Sequence, residues 1–221
     1  MQMSIRSFAV AAVLATGAAS ASALTIPTEA IQANSVQAFS ADALEQFGLF
    51  SINVTPLGNA SATSTEGAFN LPVTSITVNT SLKITAGAAK GSALEIARVK
   101  TDGTKVGLTL ANFTINFQTG QVLADVTPIG GVTQAQAAVY NFDVLSALKL
   151  SVKIFPLSVT GHEELGNLYL TDDAITTMAT ALALPKFAPY IMKDTDFGKI
   201  LIDVALKLRK PVSTKAYVPA Q

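Results

Sequence analysis

Between Lys105 and Val126 the chain reads KVGLTLANFTINFQTGQVLADV. Val106, Leu108 and Leu110 alternate with Gly107, Thr109 and Ala111, and after Asn112 the apolar positions move from even to odd at Phe113, Ile115 and Phe117. Alternation with a period of two places one side chain of each pair in a core and the next in water. A slip of that pattern needs one extra residue in the strand, so a bulge or bend is predicted at Ala111-Asn112. Gln118-Thr119-Gly120-Gln121 interrupts the run, and Val122, Ala124 and Val126 resume it, as in a hairpin. A kinked antiparallel pair is therefore predicted at the centre of a β-rich domain.

The flanking sequence repeats this style. Phe50, Ile52 and Val54 alternate up to Pro56, and Ile76, Val78, Leu82 and Ile84 form Thr/Val-rich strand segments. Leu94 and Ile96 continue as a strand, as do residues 139–144, and Leu148, Leu150, Val152 and Ile154 alternate up to Pro156. Leu157 to Thr160 extends that strand past a proline kink, which suits an edge. Residues 197–208 fit both a strand and a helical stripe, and their β-branched content favours the strand. Residues 58–67 and 87–92 read as a loop and a turn.

Two short helices are expected. Ser40 can cap one that carries Leu44 and Phe47 on one face, with Gly48 ending it. The clearer one spans 171–184, with Thr171 as cap, Asp172 and Asp173 in the first turn, and Ile175, Met178 and Leu182 on one stripe. Pro189 keeps the following segment irregular. The predicted class is mainly β: an antiparallel sandwich-like domain with one or two short helices.

The first residues read as a secretory signal peptide. One basic residue, Arg6, precedes an apolar stretch from Phe8 to Ala19, and Ala21-Ser22-Ala23 is a small-x-small cleavage site. The expected organisation is a signal peptide over 1–23 and a single β-rich domain over 24–221. Within it 24–68 is an N-terminal extension, and 24–38 an extended lead-in. The alanine-rich leader has a bacterial style, so a periplasmic or extracellular destination is expected. No later stretch has the roughly 18–20 uninterrupted apolar residues of a spanning helix.

Composition removes several chemistries. The 221 residues include no cysteine and one histidine, so disulfides, thiolate sites and zinc sites built from several His or Cys ligands are excluded within one chain. Fifteen basic residues balance fifteen acidic ones, which offers no electrostatic case for a nucleic-acid partner. Serine-nucleophile, dinucleotide-binding and phosphate-loop motifs are absent from the sequence.

The densest polar cluster is TGHEELG, residues 160–166. His162 there is either a metal, haem or proton-transfer residue beside two carboxylates, or part of a solvated turn. HEELG lacks the second histidine of HExxH. Asp172-Asp173 suits the positive end of a helix, and Asp194-Thr195-Asp196 suits a turn better than a calcium loop. Asn-x-Ser/Thr triplets begin at Asn53, Asn59, Asn79 and Asn112, and are read as chance occurrences.

Three ordered stretches, FNLPVTSITV (69–78), GSALEIARVKTDGTKVGLTLANFTINFQTGQVLADV (91–126) and NLYLTDDAITTMATAL (167–182), resemble the HtaA-like domain of secreted bacterial proteins. The resemblance covers residues 69–208 and implies a β-rich fold with a short helix. Some members bind haem through a tyrosine near the domain start and a later histidine. Here residues 40–69 contain no tyrosine, which leaves His162 and Tyr169 as the haem candidates.

The function expected from the sequence is that of a secreted, non-enzymatic β-rich binding or surface/matrix protein. Its partner would be a small hydrophobic ligand, a surface partner or another copy of itself. One alternative is a protein that binds haem or another hydrophobic ligand. Another is a hydrolase that uses paired carboxylates.

Overall fold

A computed structural model of the protein describes residues 23–80, 83–153 and 158–220. Nearly all of the expected signal peptide, residues 1–22, and the proline kink expected within 154–157 lie outside the described residues. In chain order the elements are β1 (Leu24–Pro27), β2 (Ile31–Ala38), α1 (Ala41–Leu49), β3 (Asn53–Gly58), β4 (Ser61–Ala62), β5 (Ala68–Pro72), β6 (Ser75–Val78), β7 (Ile84–Val99), β8 (Lys105–Asn116), β9 (Gln121–Pro128), β10 (Gln134–Lys153), β11 (Ser158–Leu170), α2 (Asp172–Ala181), α3 (Ala188–Asp194) and β12 (Lys199–Leu208). The class is mainly antiparallel β, as the alternation predicts.

One sheet runs β1-β6-β7-β8-β9-β10-β11-β12-β2-β5-β4, and β3 adds to the second half of β7. The sheet curls until its two ends meet in sequence. β5 pairs with β2, β6 pairs with β7, and only Val73-Thr74 separates them. The Val73 amide donates to the Ala33 carbonyl and the Thr74 amide to the Ala88 carbonyl, so this dipeptide bridges both sides of the curl. Arg209 fixes the same corner. Its guanidinium donates to the carbonyls of Thr28, Glu29, Ala33 and Val73 and to Asn34 Oδ1, at 2.7–3.2 Å.

Bulges supply the curvature, because an extra residue bends a strand and increases its twist. In β8 the pairing jumps from Ala111↔Asp125 to Thr114↔Leu123, with Asn112 at φ 54°. Asparagine tolerates this left-handed geometry better than most residues. Leu108 and Leu110 before the bulge, and Phe113 and Ile115 after it, are all buried, so the slip in the sequence is the bulge in the strand. β11 repeats the device. Asn167, at φ 53°, moves the buried set from Gly161, Glu163 and Leu165 to Leu168 and Leu170.

The expected turn at 87–92 is instead the middle of β7, a 16-residue strand. The break there is a register shift between Ala89 and Ala93, opposite the Asn112 bulge. Residues 24–38 are not a lead-in only: β2 pairs with β12 on one side and β5 on the other. Residues 197–208 contain strand β12, which settles that ambiguity. A third helix, α3, stands where Pro189 suggested irregular chain, and the proline is accepted because it lies in the first helical turn.

The helices fill one end of the curl. Ser40 and Thr171 cap α1 and α2 through their hydroxyls, as expected from the sequence. Phe47, Phe50, Met178, Leu182, Met192 and Phe197 then pack on Ile52 and Ile96. The opposite end of the interior has no helix over it among the described residues, and it holds the cavity described next.

Candidate functional site

The register of four strands builds the polar floor of an otherwise apolar cavity. Glu163 on β11 faces Ile202 on β12, which faces Ser35 on β2, which faces Leu71 on β5. The adjacent inward row is Leu165, Ile200, Gln37 and Phe69. Phe113 and Ile115 of β8 and Phe117 just past its end, all after the Asn112 bulge, line the facing wall with Val122 and the start of β7. The bulge thus divides β8. Leu108 and Leu110 pack beneath α2, and the residues beyond Asn112 face the cavity.

Three polar side chains sit in this lining: Ser35 (5% exposed), Gln37 (2%) and Glu163 (5%). Gln37 donates a long 3.4 Å hydrogen bond to the hydroxyl of fully buried Tyr140. Burial pushes that hydroxyl up to about 12. The carboxyl of Glu163 has less support. Its Oε2 is buried and makes no hydrogen bond. Burial raises its pKa above the ordinary glutamate value, and a hydrogen bond from the Leu148 amide only partly opposes this. That amide comes from an irregularity in β10, where Ala147 and Leu148 stand opposite the single residue Glu163.

Buried polar atoms are rarely left without partners. Glu29 Oε2, Ser92 Oγ, Arg98 Nε and Glu163 Oε2 are such atoms here. Of these four residues, Glu163 is the one that lines the apolar cavity. The space left open is about 30 Å³, enough for about two water molecules when one needs roughly 10–15 Å³. A carboxylate in such a place can pair with a cation or accept a proton donor. It can also hold a proton itself. Glu163 is the only carboxylate among the lining residues described, so the cavity does not assemble the two carboxylates of a glycoside hydrolase.

The two haem candidates are elsewhere. His162 is within strand β11, not in a turn, and alternation turns it to the outer face, opposite Asp203. Its Nδ1 lies 2.8 Å from Asp203 Oδ1, with both side chains more than half exposed. Tyr169 is 40% exposed and lies beyond the Asn167 bulge. Seven strand positions at about 3.3 Å each put the two residues roughly 20 Å apart. The structure therefore does not bring His162 and Tyr169 together around one iron.

The other polar motifs have structural partners. Asp172 and Asp173 lie in the first turn of α2. Asp196 Oδ1 accepts from the amides of Leu168 and Gly198, which ties the end of β11 to the start of β12. The Asn59 and Asn112 side chains hold the C-terminal segment, through Ser213 and Tyr217 respectively.

Sequence reasoning grouped Glu163 with His162 and Glu164 as one polar cluster. The available signal was the alternation Gly161-Glu163-Leu165, which sets Glu163 on the face opposite its charged neighbours. Ser35 and Gln37 carry no such signal, because Val36 between them is the more apolar residue yet lies on the other face, and it is the register with β12 that turns them inward. Comparison of the chain with protein-family models, with curated proteins and with solved structures found no match.

Proposed function

We propose that this is a secreted, non-enzymatic binding protein that takes a small, mainly apolar molecule into the open end of the curled sheet. The observation that carries the reading is Glu163: a 5% exposed carboxyl with a partnerless oxygen in a cavity walled by Phe, Ile, Leu and Val. Ligand sites commonly combine an apolar lining with a few converging polar groups. Secretion is supported by the leader pattern of residues 1–23.

Gly87 provides the test. It pairs with Ile76 on one side and Ile115 on the other, two cavity-lining residues, so a side chain at 87 points inward with them. A Cβ built there meets nothing within 4 Å. Gly87→Leu should fill the cavity and leave the pairing intact. In the original protein, xenon or ethanol should shift the amide resonances of Ser35, Gln37, Glu163 and Ile115 in a saturable way. Gly87→Leu should abolish those shifts. Unsaturable shifts spread evenly over the surface would overturn the reading.

A further inference from the structure

Resting on the cavity-binding reading, we propose that the ligand carries a cationic head group, a small primary ammonium, and that Glu163 is the residue that recognises it. The argument begins with what the cavity lacks. Its lining holds one acidic side chain and no lysine, arginine or histidine among the described residues. The ion pairs of the neighbouring charges are all directed away from it. Glu164, one residue along β11, points to the outer face and meets Lys199 at 3.0 Å, and His162 meets Asp203 at 2.8 Å. Among the described residues, Glu163 is thus the acid of this cluster that has no cation of its own.

The backbone beside Glu163 is also arranged for an anion. The Leu148 amide, at the β10 irregularity, favours the ionised carboxyl and offsets part of the burial effect, while Oε2 stays buried without a partner. An ammonium supplies three donors from one small atom, so it can serve Oε2 and have donors left for Ser35 Oγ and the Gln37 side-chain oxygen. Both of those side chains lie in the same lining. Phe113 on the facing strand and Phe117 just past its end add aromatic rings to the lining, and aromatic faces attract a desolvated cation. A carboxylate head group would place two acids together in an apolar site, which raises the cost of ionising either.

Size sets the class. Open space for about two waters suits a short alkylammonium of two or three heavy atoms without displacing the walls. A ligand of three heavy atoms, even at the best efficiency per atom, binds no tighter than roughly 0.5 mM. The titration therefore has to reach tens of millimolar.

The experiment compares ethylammonium chloride with ethanol, which has the same number of heavy atoms, by amide chemical shifts of the full protein, with sodium chloride matching ionic strength. The expected result is saturable ethylammonium binding, with shifts centred on Ser35, Gln37, Leu148 and Glu163, about tenfold or more tighter than ethanol, as a charge-assisted hydrogen bond provides. Glu163→Gln should remove that preference while ethanol still binds. Equal affinities for the two probes, or an unchanged preference in Glu163→Gln, would overturn the ammonium proposal and leave the cavity reading standing. Binding of neither probe would overturn both. The comparison in the unsubstituted protein decides the charge question even where the variant fails to fold.

Discussion

The Oδ1 atom of Asn112 accepts a 2.7 Å hydrogen bond from the backbone amide of Tyr217, 105 residues away in sequence. The same side chain accepts from the Gly91 amide and donates to Asp125 Oδ2 and the Tyr217 carbonyl. The residue that creates the β8 bulge therefore also holds the C-terminal segment against β7 and β9. Asn112→Gly keeps the left-handed backbone but loses these bonds, and should cost about 2 kcal/mol. Asn112→Ala should cost about 1–2 kcal/mol more, because alanine resists positive φ. Urea unfolding measures both, and both variants should show faster protease cleavage between residues 209 and 217. Equal stability of the two variants would remove the backbone part of this account.

The central hairpin was legible because its signal is local. A period of two that slips by one residue has few readings besides a bulged strand, and Leu108, Leu110, Phe113 and Ile115 are buried as that reading requires. β7 was not legible as one strand, because AGAAKGS resembles a turn. Its small residues answer a tertiary demand instead. A Cβ on Gly91 would come within 2.9 Å of the Ser213 carbonyl and 3.0 Å of the Lys215 carbonyl. Nothing near residue 91 in sequence announces that a segment more than a hundred residues later will cross it. The cavity failed to appear for the same reason. Ser35, Glu163 and Ile202 meet through pairings that span most of the chain, and only the sheet register brings them into one row.

The outward placement of His162 and Tyr169 makes a sharp expectation about haem. His162→Ala removes one exposed pair with Asp203, and exposed pairs contribute about 0–1 kcal/mol. Its unfolding midpoint in urea should stay close to that of the original protein. If the protein changes the Soret band of added haem, His162→Ala and Tyr169→Phe should leave that change intact. Loss of the change in either variant would return the residue to the list of iron ligands.

Arg209 should be the residue of the C-terminal segment most sensitive to conservative replacement. Its planar guanidinium reaches five acceptors around the corner where β1 turns into β2 and β5 into β6. Several of these carbonyls keep a second donor when the arginine is lost: Val73 O accepts from Thr28 Oγ1, and Ala33 O from the Val73 amide. The penalty is therefore set by lost bonds and not by stranded carbonyls, and Arg209→Ala should cost about 2–3 kcal/mol. Lysine has three donors on one atom and cannot span the fork, so Arg209→Lys should recover less than half of that loss. Full recovery in urea unfolding would show that charge, and not the fork geometry, holds the corner.

Glu163 and Asp125 should give the stability curve two slopes of opposite sign. Burial raises the folded-state pKa of Glu163 above its ordinary value. Between those two values the folded chain holds a proton that the unfolded chain has released, so stability falls as pH rises through that window and is level above it. Burial also acts to raise Asp125, but hydrogen bonds from Asn112 and from the amide and side chain of Gln136 outweigh it and hold the carboxyl below the ordinary aspartate value. Its contribution is complete above the ordinary aspartate pKa and is lost as pH falls through the lowered one. Urea unfolding across pH should show Glu163→Gln removing the decline above the ordinary carboxyl range. Asp125→Asn should lower stability at neutral pH and flatten the acid limb. A ligand cation paired with Glu163 favours its ionised form, so ethylammonium at saturating concentration should also suppress the decline in the unsubstituted protein and do nothing to the acid limb, to which Asp125 and Asp102 contribute. A decline that persists unchanged in Glu163→Gln would show that this carboxyl is not the group that titrates there.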